Sequence, residues 1–510
     1  MDINNLNLSN KQLKIGNVFT PVQWGIFAIE RLDLFKKWLN GASVFDPTMG
    51  EGNLLEAFID YGISKGYKPD ELPYHRLYGN EINSEYHKNA ILKFKEKYKL
   101  DLSDNFTNED ILDINIQSFD ILFGNPPWAN FVDLPDTYKQ KIKTFFISYE
   151  LVGNVRQLLL GGSRIDIASL VIQKSICKHL KENGEAVFFV PLSIFLNDGA
   201  NNYFRRYQIK DIHYSLECIY DLNDCSVFQN ISTRYGIAHF VKNKITQYPI
   251  PYFIHEKNKW SKYLARPVHH ITDPLRIHTK NETADIEPII LPKESVPRQG
   301  INTCGANHIF FFDEVISINE DDLLVRNNFV QEIVLPKKFI FPLITSKNFT
   351  EGKTKPSKWV LLPYHSNGKI LDWQEIEQYP ALMQYLLQHK LNLQNRKGTL
   401  LQSQIKRGYW WTLLGVGKYS FFPYKIVWEA YGKNKFEPKI FDGYWQANQS
   451  LQAYIPVKKY NEATDILSQL QNKNIEKYLQ SMKMDGTMNW AQPGKIKKLI
   501  KFMDEPLRLF

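Results

Sequence analysis

Four short apolar runs in the first 200 residues each stop at a polar or glycine-bearing turn and give way to a helical segment. That alternation restricts the fold more than any other feature. SVFDP (Ser43 to Pro47), LYGNEI (Leu77 to Ile82), FDILFG (Phe119 to Gly124) and EAVFFVP (Glu185 to Pro191) have the composition and length of strands. Between them, NLLEAFIDYG, SEYHKNAILKFKEKYKL and IASLVIQKSICKHLK have the length and pattern of helices. Such alternation predicts an α/β fold, a parallel sheet with helices on both faces. Ligands of these sheets bind beyond the carboxyl ends of the strands.

The strand ends carry chemistry. VFDPTMGEGNLLEAF is a strand, a turn and a helix, in which Gly50 and Gly52 let the backbone turn tightly and approach a ligand. A dinucleotide site would place a third glycine where Leu55 stands, and Asp46 would repel a pyrophosphate. An acid there suits a ligand bearing an ammonium group. Glu81 ends the next strand, where a carboxylate can accept both hydroxyls of a ribose. Asp110, in NEDILD, can accept from an adenine amine, with Ile111 packing on the ring. Each acid taken alone is more often a helix cap or a loop charge. Three at successive strand ends, beside a glycine turn, describe a pocket for S-adenosyl-L-methionine.

The third run, FDILFG, leads straight into Asn125, Pro126, Pro127 and Trp128. The exocyclic amine of adenine is a poor nucleophile because its lone pair is delocalised into the ring. An amide oxygen and a backbone carbonyl, held together by stiff prolines, can accept its two hydrogens and aim the lone pair. Trp128 offers a flat face to a base flipped out of the duplex. Asn125 is no base, so the proton leaves to solvent after transfer. The bland alternative is a proline-rich turn capped by a core tryptophan, and the acids upstream argue against it.

In order and spacing, FTP (Phe19 to Pro21), DPTMGEG, NEI, ED and NPPW resemble the gamma (TaqI-like) class of adenine-N6 DNA methyltransferases of restriction–modification type. The resemblance covers roughly residues 15 to 245 by motif and the remainder by layout. It implies a Rossmann-like methyltransferase domain over residues 1–245 and a mixed α+β target-recognition domain over residues 246–510. The latter has a helical part from about residue 460. It further implies that Thr20, Asp46, Pro47 and Gly50 hold the methionine end of the cofactor, Glu81 the ribose, and Asp110 and Ile111 the adenine. Phe228, in CSVFQNISTRYGIAHF, would lie against the other face of the flipped base. Trp128 replaces the commoner tyrosine of the class. The interval from Ala129 to Arg164 is long and suits a mobile substrate loop.

Beyond residue 245 prolines become frequent (Pro249, Pro251, Pro267, Pro274, Pro288) and regular alternation is lost. The formal charge of +9 is concentrated between Gln331 and Glu437, where 16 Lys+Arg oppose 7 Asp+Glu, so the rest of the chain sums to zero. Eighteen aromatics share that window, a mixture suited to a polyanion with stackable bases. Lys337, Lys338, Lys347, Arg396, Lys397, Lys406 and Arg407 are the candidate DNA contacts, each weighed against an ordinary solvated face.

Four cysteines without a CxxC pair fit a reduced, cytoplasmic setting, and twelve histidines form no metal-ligand motif. No metal is expected. The polar N-terminus has no signal-peptide core, and no apolar run is long enough to span a membrane. The few residues before FTP leave no room for a fused nuclease, so a cognate endonuclease would be a separate chain, with the enzyme acting as a monomer on double-stranded DNA. Two other readings stay open: a methyltransferase fold that binds DNA without catalysis, and an NPPW enzyme acting on RNA or protein.

Overall fold

The computed structural model describes residues 19–153, 164–222, 225–228, 233–257, 259–279, 287–327, 332–350, 355–430, 435–449, 452–481 and 491–503. The chain divides into two compact units near residue 283.

The first unit is built on one large sheet. Its strands are β1 (Val44–Asp46), β2 (Leu77–Asn80), β3 (Phe106–Thr107), β4 (Phe119–Gly124), β5 (Leu180–Pro191), β6 (Gln208–Ile209), β7 (Ile212–Asp221), β8 (Tyr235–Lys242), β9 (Ile250–Glu256), β10 (Lys259–Pro267) and β11 (Leu275–His278). They run in the order β11-β10-β9-β7-β8-β5-β4-β1-β2-β3, with β6 paired to β7. The stretch β3-β2-β1-β4-β5 is parallel throughout, and β8 enters antiparallel between β5 and β7. Successive side chains of a strand face opposite sides, and the two cores follow that rule. Phe45, Leu122, Ala186 and Phe188 join the core that holds helix Ile167–His179. Their neighbours Val44, Ile121, Phe123, Val187 and Phe189 join the core under helices Val22–Arg31 and Asn53–Ser64. Both faces are covered, as a parallel sheet requires.

Two expectations change here. The boundary anticipated at residue 245 lies inside this unit, because β9 pairs with β7 and Tyr252 donates from its hydroxyl to Asp221 at 2.7 Å. Pro249, Pro251 and Pro267 sit at or beside strand ends, where a missing N–H costs little. The interval after Trp128 is also not simply a loop: Asp136–Ser148 is a helix starting just after Pro135, with Ile142 and Phe146 buried. Residues 154–163 of that interval lie outside the described residues.

The second unit is mixed α+β. Arg298–Gln299, Gln452–Val457, Tyr424–Glu429 and Lys439–Asp442 form a four-stranded antiparallel sheet. Two three-stranded sheets and the helices Trp373–Glu377, Pro380–Gln388 and Thr399–Lys406 accompany it. Helices Tyr460–Leu470 and Lys473–Ser481 follow, matching the helical pattern expected from about residue 460.

Candidate active site

The turns after β1, β2, β3 and β4 converge on one pocket that opens to solvent. Thr20, Asp46, Pro47, Gly50, Glu81, Asp110, Ile111, Asn125 and Pro127 all line it.

Asp46 is buried, and its Oδ1 accepts from the Thr48 N–H at 3.0 Å. Burial holds its carboxyl well above the ordinary carboxylate range, and the nearby charge of Glu81 adds to the shift. Glu81 is raised by the same burial, against N–H donors from Asn83 (2.8 Å) and Gly50 (2.9 Å). Two acids held in poor solvation beside each other are the arrangement expected where a cation or a set of hydroxyls is to be received. Gly50 has φ +55°, and a Cβ there would come within 2.8 Å of the Phe19 ring. The left-handed backbone and the nearby ring both favour glycine at this point.

Asp110 accepts from the Leu112 N–H at 2.9 Å through Oδ1. Its Oδ2 takes Lys141 Nζ at 2.6 Å and the Tyr138 hydroxyl at 3.3 Å, both from helix Asp136–Ser148. A carboxylate has about four acceptor sites, so capacity remains for another donor.

The loop after β4 is fixed from two sides. Thr48 donates from Oγ1 to the Asn125 carbonyl at 3.1 Å, and Asn125 Nδ2 donates to Thr20 Oγ1 at 3.0 Å. Thr20 is in turn held by Asn53, whose Nδ2 donates to its carbonyl at 3.0 Å. The Asn125 side chain is thus tied to Thr20 and its carbonyl to Thr48.

Trp128 meets Phe228 edge-on, with ring centroids 5.0 Å apart and planes at 85°, and Tyr235 lies 5.8 Å from Trp128. The Tyr235 hydroxyl accepts from the Val227 N–H at 3.0 Å. Trp128 and Phe228, expected on opposite faces of a flipped base, are here in direct edge-to-face contact with no slot between them.

Gly52 departs from expectation. It caps helix Asn53–Ser64 with φ +79° against Phe94 and does not line the pocket, so its glycine serves the turn. Several residues escaped the sequence reading. Asn80 donates to the carbonyls of Pro47 (3.2 Å) and Glu109 (3.1 Å) and accepts from Thr107 Oγ1 (2.9 Å) and the Glu109 N–H (3.2 Å). A buried asparagine at the end of a strand was the available signal. Phe19, Asn53, Tyr86 and Tyr138 also line the pocket.

In the second unit Lys337, Lys338, Lys347, Lys397, Lys406 and Arg407 are exposed. Arg396 is not: it is buried and donates to the carbonyls of Leu393, Thr303, Trp410 and Thr412 at 2.8–3.0 Å. Its guanidinium braces the interior and is unavailable to a phosphate.

Residues 5–266 match the family model described as N-6 DNA Methylase, just over half of the 510 residues. The chain is 23% identical over 483 residues to the type II methyltransferase M.NspV of Nostoc sp., covering 86% of this chain and 87% of that protein. It is 24% identical to the type II methyltransferase M.HincII of Haemophilus influenzae over 46% of this chain and 39% of that one. The fold resembles the type IIL restriction-modification enzyme MmeI, solved in complex with DNA, with a TM-score of 0.51 at 12% identity. That likeness covers 86% of this chain and 60% of MmeI.

Proposed function

Since this chain belongs to the N-6 DNA methylase family, whose members methylate adenine in DNA with S-adenosyl-L-methionine, we propose that its first unit methylates N6 of an adenine flipped from double-stranded DNA and that the residues of the pocket divide the work as follows. The site fits the cofactor on its own features: a buried acid pair, a turn at Gly50 where a side chain would meet the Phe19 ring, and a third acid at the far strand end. When bound, the cofactor supplies a methyl group made electrophilic by a sulfonium. Asp46 receives the ammonium end, Glu81 the ribose hydroxyls and Asp110 the adenine amine.

Asn125 Oδ1 accepts one hydrogen of the target amine and the loop carbonyl beyond it accepts the other. Both stabilise the nitrogen as its lone pair turns outward. Pro126 and Pro127 keep the two acceptors in register. Trp128 stacks on the target base, and Phe228 swings from its edge contact to the opposite face. An amide is no base, and the proton passes to solvent.

The observation that best supports this division is the Thr20–Asn125 hydrogen bond, which orients the amide inside the acid-lined pocket. Exposed lysines and Arg407 of the second unit make the phosphate contacts, as the charge surplus there suggests. The enzyme works in the cytoplasm as a monomer on DNA, and a separate endonuclease of the same specificity is its partner in restriction–modification.

The test is incubation of the protein with labelled S-adenosyl-L-methionine and mixed-sequence DNA, followed by digestion to nucleosides. Label in N6-methyladenine is expected. Label in cytosine, RNA or protein, or none in any acceptor, overturns the reading. Sequencing the methylated DNA then gives the recognition site.

A further inference from the structure

A second cavity, of about 480 Å³ and open to solvent, lies wholly within the second unit. Its walls are aromatic. Phe341 and Phe421 meet edge-on at 5.5 Å, and Tyr379 and Tyr444 stand at the rim. Lys338, His365, Ser366, Glu375 and Gln378 supply polar groups. Lys338 lies over the Tyr379 ring, with Nζ 4.2 Å from the centroid, and bonds its hydroxyl. His365 Nε2 is 2.8 Å from Glu375 Oε1, and Glu375 is itself held by the Asp372 N–H at 2.8 Å.

Tyr444 is the residue that most needs a reason. It has φ +62°, a left-handed conformation that a bulky side chain adopts rarely and at a cost. The turn is held by two N–H donors, Gly443 and Tyr444, both to the Pro423 carbonyl at 3.1 and 3.3 Å. The ring so presented is 48% exposed. A strained backbone that offers a large ring to water gains nothing for folding. It does make a stacking platform.

We propose that this cavity binds a nucleobase carrying a phosphate, the base stacking on Tyr444 among the aromatic walls and the phosphate meeting Lys338. Aromatic faces accept any base, and one flexible ammonium suits a phosphate without demanding a fixed geometry. The paired His365 and Glu375 offer the base edge one donor or acceptor. Two sources supply this chemistry, a base displaced from the DNA on which the enzyme acts or a free nucleotide. The first source rests on the proposed function; the second does not.

The test uses the full-length protein with its first pocket saturated by S-adenosylhomocysteine. Binding of thymidine monophosphate and of fluorescein-labelled oligothymidylate is compared in the wild type, Y444G, Y444F and K338Q, with methyl transfer to DNA measured alongside. Glycine suits φ +62°, so Y444G keeps or raises the unfolding temperature while removing the ring. Its affinity for the oligonucleotide is expected to fall about 5-fold or more, the scale of losing one stacked base. Y444F keeps wild-type affinity, and K338Q weakens binding and flattens its salt dependence. Loss of monophosphate binding in Y444G assigns the cavity to free nucleotides. Loss confined to the oligonucleotide assigns it to a DNA base. Unchanged affinity for both probes in Y444G overturns the proposal, and does so whether or not methyl transfer is observed.

Discussion

Asn125 Nδ2 and Thr20 Oγ1 are 3.0 Å apart although 105 residues separate them in the chain. This bond anchors the Asn125 side chain to the FTP segment at the edge of the pocket. Replacing Asn125 with alanine removes an oriented acceptor. Methyl transfer is expected to slow about 100-fold or more, as for loss of one preorganised oxyanion donor, with cofactor affinity nearly unchanged. Thr20→Val keeps the volume and removes the bond, so its rate loss should be smaller yet in the same direction. Single-turnover rates on DNA check both, and a near-normal rate for Asn125→Ala removes the amide from the chemistry.

Glu81→Ala removes the carboxylate that holds the Gly50 and Asn83 N–H groups. Cofactor binding should weaken by about 1.5–3 kcal/mol, the scale of hydrogen bonds to a charged group. DNA binding without cofactor should be spared. Calorimetric titration with S-adenosylhomocysteine decides, and equal affinities would exclude Glu81 from ligand contact.

Asp46 carries a pH consequence. Its folded-state pKa lies above its unfolded value, so ionisation favours the unfolded chain. The penalty is present at neutral pH and is relieved as pH falls through the raised folded value. Asp46→Asn keeps the Oδ1 acceptor for Thr48 and sheds the charge. The unliganded variant should melt higher, by about 2–4 °C for each kcal/mol regained, while losing cofactor affinity. In the wild type, cofactor affinity should decline with acidification at a higher pH than an ordinary carboxylate would give. Melting curves and cofactor titrations across pH measure both effects, and a lower melting point for Asp46→Asn contradicts the account.

The exposed basic residues and Arg396 should separate cleanly. Neutralising Lys337, Lys347, Lys406 and Arg407 together to glutamine should weaken binding to all DNA sequences. The slope of affinity against salt should fall by roughly 0.9 for each true phosphate contact. Arg396→Met should instead leave four buried carbonyls short of a donor and destabilise the fold by about 3 kcal/mol or more. Salt-dependent binding and denaturant titrations distinguish the two classes. A wild-type slope in the fourfold variant places the DNA grip elsewhere.

The parts legible in the sequence were those with a local signature. Strands β1, β2, β4 and β5 end where apolar runs meet turn residues, and Asp46 and Glu81 stand at or just past such ends, whereas Asp110 follows the two-residue β3, which has no apolar run to announce it. Arg396 was illegible because arginine is a surface residue by habit, and only the fold reveals four carbonyls converging on it. The first unit's true extent was hidden because prolines at strand ends look like loop punctuation until β9 is seen paired to β7. Helix Asp136–Ser148 was missed because its apolar face is narrow, and its contact with Asp110 is long-range.

Asn80 bonds to the loops after β1 and β3 from its own place at the end of β2. Three loops tied to one amide open together or not at all. Amide hydrogen exchange in the Met49, Glu81 and Glu109 segments should therefore proceed at one common opening rate rather than three. A ligand that grips any one of these loops will slow exchange in the other two, so occupancy at the ribose end is felt at the adenine end through the protein as well as through the ligand.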